Sequence, residues 1–577
     1  MAVVFINDKP VDIGNERLNL VQAAHKGGVF IPHYCWHPAL SVVASCRMCL
    51  VEVGEKKPDG TVSMQPRVVP ACQTPAKDQT VCVTNSEKAK LSQAHTLEGL
   101  LLNHPLDCPV CDKAGECLLQ DFSYRYGKSS SRMVDPKNTP ANKPDIGEHI
   151  SLFTDRCIMC SRCVRFTREI AGSAELLVTN RGHHCQIDSF PGNPVNNPLA
   201  GNVVDLCPVG ALANKDFLYK QRVWFLKTLP SVCAGCSTGC SIHVDHNKDI
   251  VYRIRPRENP MAQGHFICDE GRFDYPYING RERFQQPLIR PSPPTPLPGG
   301  EGRSADVRPS PPTPLPGGEG RLPDKLAPAA WESALPALRG EMTKVAKENG
   351  AAVAAVLSPM LTVEEAYLLA KFIKGLSTDA KLYLGWVPVA GKDENFPQDR
   401  NGHPLGAVKF TIRAEKCPNR RGVEEVLKHF QGEVVGFDKL LAGAGNLKAL
   451  YLTGGYPPRL GAWLHDEQIR TLAQIALLIV QDLSPSPISE AARFVIPSAT
   501  FAEKDGCYVN HANLAQQLHW AVRPGSMGRT DGQIFLNLLD RRGLIQATAI
   551  RQELAREVPF FAPLASGSLG EFGVKLR

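Results

Sequence analysis

The chain is 577 residues long, 43% apolar and 21% charged, and carries a formal net charge of +7. These values exclude a fully disordered chain or a collagen, and the length predicts about three to five domains. The longest apolar candidate, Ile475–Val480, is bounded by Gln474 and Gln481, so no membrane span is expected. Met1–Lys9 lacks the basic, apolar and small-residue pattern of an export signal, so export is not expected either.

In chain order, residues 1–92 read as a small β-rich unit. Val3–Ile6 and Pro10–Asp12 bracket the turn Asn7-Asp8-Lys9, a hairpin signal. Leu18–His25 then reads as a short helix stopped by Lys26-Gly27-Gly28. Residues 93–127 read as helical, and 128–147 as an exposed connection. The 14-residue segment Arg290–Arg303 recurs unchanged at Arg308–Arg321, with five prolines and three glycines in each copy. Such a segment builds neither ladder nor helix, and predicts a linker over 284–330. From Trp331 onward, Thr362–Leu376 reads as an amphipathic helix. Ala351–Leu357, Ala449–Leu452 and Ala476–Val480 read as buried strands. That alternation predicts a doubly wound α/β domain over 331–577.

Of 19 cysteines, all but Cys417 and Cys507 lie at or before Cys268. In a chain not expected to be exported, this density argues for metal rather than disulfides. The first group is Cys35-x10-Cys46-x2-Cys49. Two residues compete as its fourth ligand: Cys72 in a proline-flanked loop, and Cys82 in the strand-like run Thr80–Thr84. A strand cysteine is more often a small core residue, so Cys72 is preferred for a 2Fe-2S cluster. The second group, His104-x3-Cys108-x2-Cys111-x5-Cys117, has spacing that permits either zinc or an iron–sulfur cluster.

The third group, Cys157-x2-Cys160-x2-Cys163 completed by Cys207-Pro208, matches the bacterial ferredoxin run with one change. Thr167 stands where a two-cluster ferredoxin places the cysteine serving its other cluster, so one 4Fe-4S cluster is expected. His183, His184 and Cys185 read as non-ligands because that site is already full. The fourth group is Cys233-x2-Cys236-x3-Cys240 with Cys268 after 27 further residues. Each set is a closed four-ligand site rather than the open form of a metal catalyst. The reading from the residues is an electron wire with no substrate site of its own. Thiolates on iron–sulfur cores would offset the positive balance, so nothing in the charge argues for nucleic acid.

The runs Pro32-His-Tyr-Cys35-Trp36, Cys46-Arg-Met-Cys49-Leu-Val-Glu52, Asn103–Asp112, Gly115–Asp121, Cys157–Arg165 and Gly201–Leu212 resemble the large iron–sulfur subunit family of respiratory complex I, the NADH–quinone oxidoreductase. The resemblance implies that His104 is an iron ligand of a 4Fe-4S cluster, giving one 2Fe-2S and three 4Fe-4S clusters. It implies an α+β and α/β multidomain chain. That chain would comprise a β-grasp 2Fe-2S domain (1–92), 4Fe-4S domains (93–135, 148–225, 226–283) and a C-terminal domain of molybdopterin-oxidoreductase type. It also implies a flavin-containing, NADH-oxidising partner and further iron–sulfur subunits leading to quinone. Localisation would be peripheral, at the cytoplasmic face of the inner membrane, with contact to the membrane only through the complex.

Residues 226–577 resemble molybdopterin oxidoreductases in degenerate form. Cys268-Asp-Glu-Gly-Arg272 carries Glu270 where that family places a bridging lysine, and Cys417 lies in surroundings unlike a molybdenum ligand's. The resemblance therefore implies a scaffold without molybdopterin. Three alternatives fit less well: an iron-only hydrogenase, which needs more downstream cysteines; an active molybdenum enzyme; and a structural zinc scaffold.

Overall fold

The computed structural model describes residues 2–291, 325–525 and 529–577. Most of the proline-rich repeat therefore lies outside the described residues. The described chain forms two compact units. One comprises Met1–Pro230, Cys240–Tyr275 and Gly391–Ala414; the other comprises Ser231–Gly239, Pro276–Ala390 and Glu415–Arg577.

The first unit opens with the expected hairpin, β1 (Ala2–Ile6) and β2 (Lys9–Gly14). Its turn is two residues, not three. Asn7 and Asp8 both take positive φ, as a tight turn matched to strand twist requires. Val4, Ile6, Val11 and Ile13 alternate into one core with helix α1 (Leu20–Lys26), which Asn19 and Gln22 cap reciprocally. Strands β3 (Leu50–Lys56), β4 (Val62–Met64), β5 (Val69–Pro70) and β6 (Thr80–Val83) complete a six-stranded mixed sheet, with β6 parallel to β1. Helices α2 (Glu87–Leu101) and α3 (Leu118–Tyr126) flank the second cysteine group, which itself sits in turns.

One segment groups away from its neighbours in sequence. Gly391–Ala414, placed by sequence in the C-terminal domain, belongs to the cysteine-rich unit. Its strands Glu394–Phe396 and Phe410–Ile412 form a hairpin. Gln398 donates to the Ala171 carbonyl at 3.2 Å. Gly172 has φ +86°, and a Cβ there would meet the Gln398 carbonyl at 2.4 Å. The close approach requires glycine.

The second unit is built on a seven-stranded sheet. Its parallel strands run in the spatial order Lys381–Leu384, Val353–Leu357, Ala449–Thr453, Leu477–Asp482, Phe494–Pro497. In chain order this is 2-1-3-4-5, one of the doubly wound arrangements. Side chains alternate between two cores: Ala355, Leu357, Tyr451 and Ile479 enter one, while Ala354, Val356, Leu450 and Val480 enter the other. The flanks of the expected linker are ordered into this sheet, because Leu288–Ile289 pairs with both Phe494–Pro497 and Ala327–Pro328.

The helix expected to be amphipathic, Val363–Leu376, is instead buried nearly all round. Its first-turn acids find buried cations. Glu364 accepts from Arg551 at 2.7 Å and Glu365 from Lys504 at 2.8 Å. Among the described residues, no helix is long and apolar enough to cross a membrane.

Candidate iron–sulfur centres

Cys35 and Cys46 lie in the loop between α1 and β3, Cys49 just before β3, and Cys72 just after β5. The Cys35 amide donates to Cys46 Sγ at 3.5 Å. Hydrogen bonds from the Cys46 and Cys72 thiols hold the Cys35 thiol well below its ordinary value, and Cys72 does the same to Cys49. The four expected residues of the first set are thus one connected group. Cys82 lies apart on β6, with its side chain in the sheet core, where burial alone pushes the thiol up to about 12. Cys82→Ser is therefore expected to leave the EPR signal of a reduced 2Fe-2S cluster intact. Cys72→Ser is expected to abolish or shift it, and the reverse pattern would exchange their roles.

The third set lines one narrow cavity, with Cys157, Cys160, Cys163 and Cys207 around it and apolar walls from Ile187 and Leu212. Met159 and Ser161, both left-handed at φ 52° and 57°, turn the loop so that it presents these residues. The Met159 amide donates to Cys157 Sγ at 3.4 Å, the kind of N–H···S bond that supports a thiolate. Burial, with Cys207 adding, pushes Cys160 up to about 11 and Cys157 up to about 12. Four such thiols ionise together only around positive charge. Among the described residues, no three His, Cys, Asp or Glu side chains are placed to hold a single metal ion. Four thiol sulfurs lining one cavity are the donor chemistry of an iron–sulfide core.

In the second set, Cys111 and Cys117 are buried, His104 is half-buried and Cys108 is exposed. The three cysteines act on one another electrostatically. Burial, with Lys137 and Arg156 adding, lowers the His104 pKa, favouring the neutral imidazole a metal requires. Its Nδ1 is buried without a hydrogen-bond partner. Arg156 donates twice to Asp107, at 3.0 and 2.9 Å.

The three sets are contiguous within the first unit. Arg165 donates to the carbonyls of both Cys35 and Cys160, joining the first set to the third. The loop after Cys207 touches the second set: Pro208 accepts from Leu118 at 3.0 Å, and a Cβ on Gly210 would lie 2.2 Å from Cys111 Sγ. Cys233 and Cys236 fall in the second unit, Cys240 and Cys268 in the first, and each is buried. The Gly235 amide donates to Cys233 Sγ at 3.3 Å and the Gly271 amide to Cys268 Sγ at 3.4 Å.

The other cysteines sit among different groups: Cys185 beside the Asn180 carbonyl, Cys417 beside Glu415, Cys507 beside Glu364 and Arg551. Sequence reasoning did not single out Arg162 or Arg165, although both lie in the quoted run Cys157–Arg165.

Family models match along most of this layout. Residues 3–87 match a 2Fe-2S iron–sulfur cluster binding domain, and 93–132 the NADH-ubiquinone oxidoreductase-G iron–sulfur binding region. Residues 147–213 match the ferredoxin-like domain of NADH-quinone oxidoreductase subunit 3. Residues 226–280 match the molybdopterin oxidoreductase Fe4S4 domain and 426–541 molybdopterin oxidoreductase.

The chain is similar to the G subunits of bacterial NADH-quinone oxidoreductases. The one from Rickettsia bellii is 32% identical over 374 residues, which cover 65% of this chain and 48% of that protein. Its counterpart from Streptomyces coelicolor is 33% identical, covering 62% and 37% respectively. The NADH-ubiquinone oxidoreductase 75 kDa subunit of Reclinomonas americana is 37% identical, covering 50% and 40%. The chain thus spans about half the length, or less, of the relatives it matches. A solved structure of NAD+-reducing [NiFe]-hydrogenase in the H2-reduced state shares 26% identity over 38% of this chain and 91% of its own, with a TM-score of 0.34.

The second unit also bears on the molybdopterin match. A narrow pocket lies beyond the strand ends at the point where the sheet order reverses, lined in part by Met360, Gly454, Gly455, Thr500 and Lys504. Lys504, the basic side chain lining it, is already held by Glu365 at 2.8 Å and Asp531 at 3.5 Å. The basic side chain lining this pocket is thus engaged within the protein.

Proposed function

We propose that this chain carries electrons within the peripheral arm of an NADH:quinone oxidoreductase, from a flavin-containing subunit toward iron–sulfur subunits on the quinone side. The whole complex would couple this transfer to proton translocation at the cytoplasmic face of the inner membrane. Cys35, Cys46, Cys49 and Cys72 hold one 2Fe-2S cluster. Cys157, Cys160, Cys163 and Cys207 hold a 4Fe-4S cluster, as do His104, Cys108, Cys111 and Cys117. Cys233, Cys236, Cys240 and Cys268 hold a third, away from the main path. When bound, these clusters supply one-electron chemistry; the protein contributes thiolates, an imidazole, buried surroundings and fixed spacing.

The observation that carries this reading is the contiguity of the first three sets, through Arg165 on one side and the Pro208–Gly210 loop on the other. No molybdopterin is assigned, given Glu270 at the bridging position and a Lys504 already engaged. Elemental analysis of anaerobically purified protein checks both points. About 14 iron and 14 acid-labile sulfide per chain are expected for this cluster set, without stoichiometric molybdenum or tungsten. Zinc in place of iron and sulfide would overturn the electron-transfer reading, and stoichiometric molybdenum the scaffold reading.

A further inference from the structure

Seven arginines among the described residues are buried: Arg156, Arg162, Arg165, Arg253, Arg272, Arg283 and Arg551. Five have carboxylate partners, namely Asp107, Glu116 with Asp245, Asp205, Glu503 and Glu364 in the same order. Arg162 and Arg165, each 7% exposed, form no ion pair among the described residues. The carboxylate nearest in sequence to Arg165, Glu169, is occupied by the amide and hydroxyl of Ser41. A guanidinium does not lose its proton in a protein, and a buried charge without a counter-charge is costly. These two side chains therefore require negative charge from something other than a carboxylate.

Their contacts point to where it lies. Arg162 donates to the carbonyl of Trp36, which follows Cys35, and to that of Leu206, which precedes Cys207, at 3.3 Å. Its Nε is buried with no partner. Arg165 donates to the carbonyls of Cys35, Ser41 and Cys160, the last at 3.2 Å. Burial lowers the Arg162 pKa, and the acidic groups that act against this are the thiols of Cys160, Cys35 and Cys207. Both guanidiniums thus lie at the seam between the first and third cysteine sets.

We propose that Arg162 and Arg165 are the shared counter-charges of the clusters on these two sets, raising the reduction potentials of both and so setting the driving force between them. The inference rests on the ligand sets assigned under Proposed function. Four thiolates outweigh the positive charge of an iron–sulfide core, and reduction adds one more negative charge. A fixed cation in a poorly screened interior favours the reduced state. One electron crosses the seam, no bond forms or breaks, and the guanidinium neither gives nor takes a proton. Because Arg165 holds one backbone carbonyl from each set, it also fixes their spacing.

The test is an EPR-monitored redox titration of the purified complex carrying Arg162→Gln or Arg165→Gln, with Arg→Lys at each position. In the Gln variants, the reduced-to-oxidised ratio of both clusters at fixed ambient potential should fall at least about tenfold, a shift of about 59 mV. The cluster on the His104 set should move much less, and the Lys variants should stay near wild type. Wild-type potentials in both Gln variants would overturn the proposal, as would Lys variants shifted as far as the Gln ones. If the Gln variants lose both signals, Lys variants that keep them at wild-type potential support the counter-charge. Lys variants that lose them too assign the guanidinium fork a purely geometric role. Absence of both signals from the wild-type complex refutes the ligand sets rather than this inference.

Discussion

Replacing Cys160 by alanine is expected to lower electron transfer from NADH to quinone by more than about 100-fold, while NADH oxidation by an artificial acceptor that takes electrons near the flavin survives. Cys160 is 7% exposed and lines the cavity of the third set, between two left-handed residues. Its carbonyl, which Arg165 engages, is retained in the variant, so the seam to the first set keeps its backbone frame while the set loses one thiolate. The third set stands between the other two in the contact chain, so its loss interrupts the series rather than an end of it. Cys236→Ala is the control. It removes a ligand of the fourth set and should lower stability, since a closed metal site contributes folding energy. Turnover per assembled flavin should stay near normal. Assembly is scored separately, by flavin content. A fully assembled Cys236→Ala complex that is inactive with quinone would place the fourth set on the path.

Lys504→Met is expected to destabilise the second unit by about 3–5 kcal/mol at neutral pH, because it strands buried carboxylates. The Lys504 side chain is 4% exposed, Glu365 2% and Asp531 0%. Glu365 and Asp531 together hold Lys504 charged by raising its pKa despite burial. Burial raises the Glu365 pKa and Lys504 pulls it back, so removing Lys504 raises it further. A carboxyl whose folded-state pKa exceeds its unfolded value of about 4.3 contributes stability only at low pH. That contribution is lost as pH rises through the folded value.

The deficit of Lys504→Met relative to wild type should therefore be smaller at pH 5 than at pH 8. Urea unfolding followed by tryptophan fluorescence measures it, because Trp331, Trp386, Trp463 and Trp520 of the six tryptophans lie in the second unit. A deficit independent of pH would show that Glu365 does not take up a proton. A deficit below about 1 kcal/mol would show the pair behaving as an exposed one.

Sequence by itself determined what depends on short spacing. Cys157-x2-Cys160-x2-Cys163 presents three thiols from one loop and the helix turn that follows it, and Asn7-Asp8 closes a hairpin, because a few consecutive residues suffice for each geometry. The runs Ala449–Leu452 and Ala476–Val480 announced strands buried on both faces, and the doubly wound unit followed. The preference for Cys72 over Cys82 also came from local context, a loop against a strand. His104 was assigned to iron by family resemblance, since its spacing alone admits zinc.

Only the tertiary structure decided the long-range pairings. It returned Gly391–Ala414 to the cysteine-rich unit and ordered Leu288–Ile289 into the sheet, where sequence composition suggested only a linker. It buried Val363–Leu376 nearly all round, with Glu364 and Glu365 meeting cations 187 and 139 residues away. It set Arg165 against Cys35 across 130 residues, which no local pattern encodes. The reason is physical. A short motif fixes its geometry through a few torsions, whereas a buried charge is tolerable only beside a partner, and chain closure alone decides which distant residue that partner is.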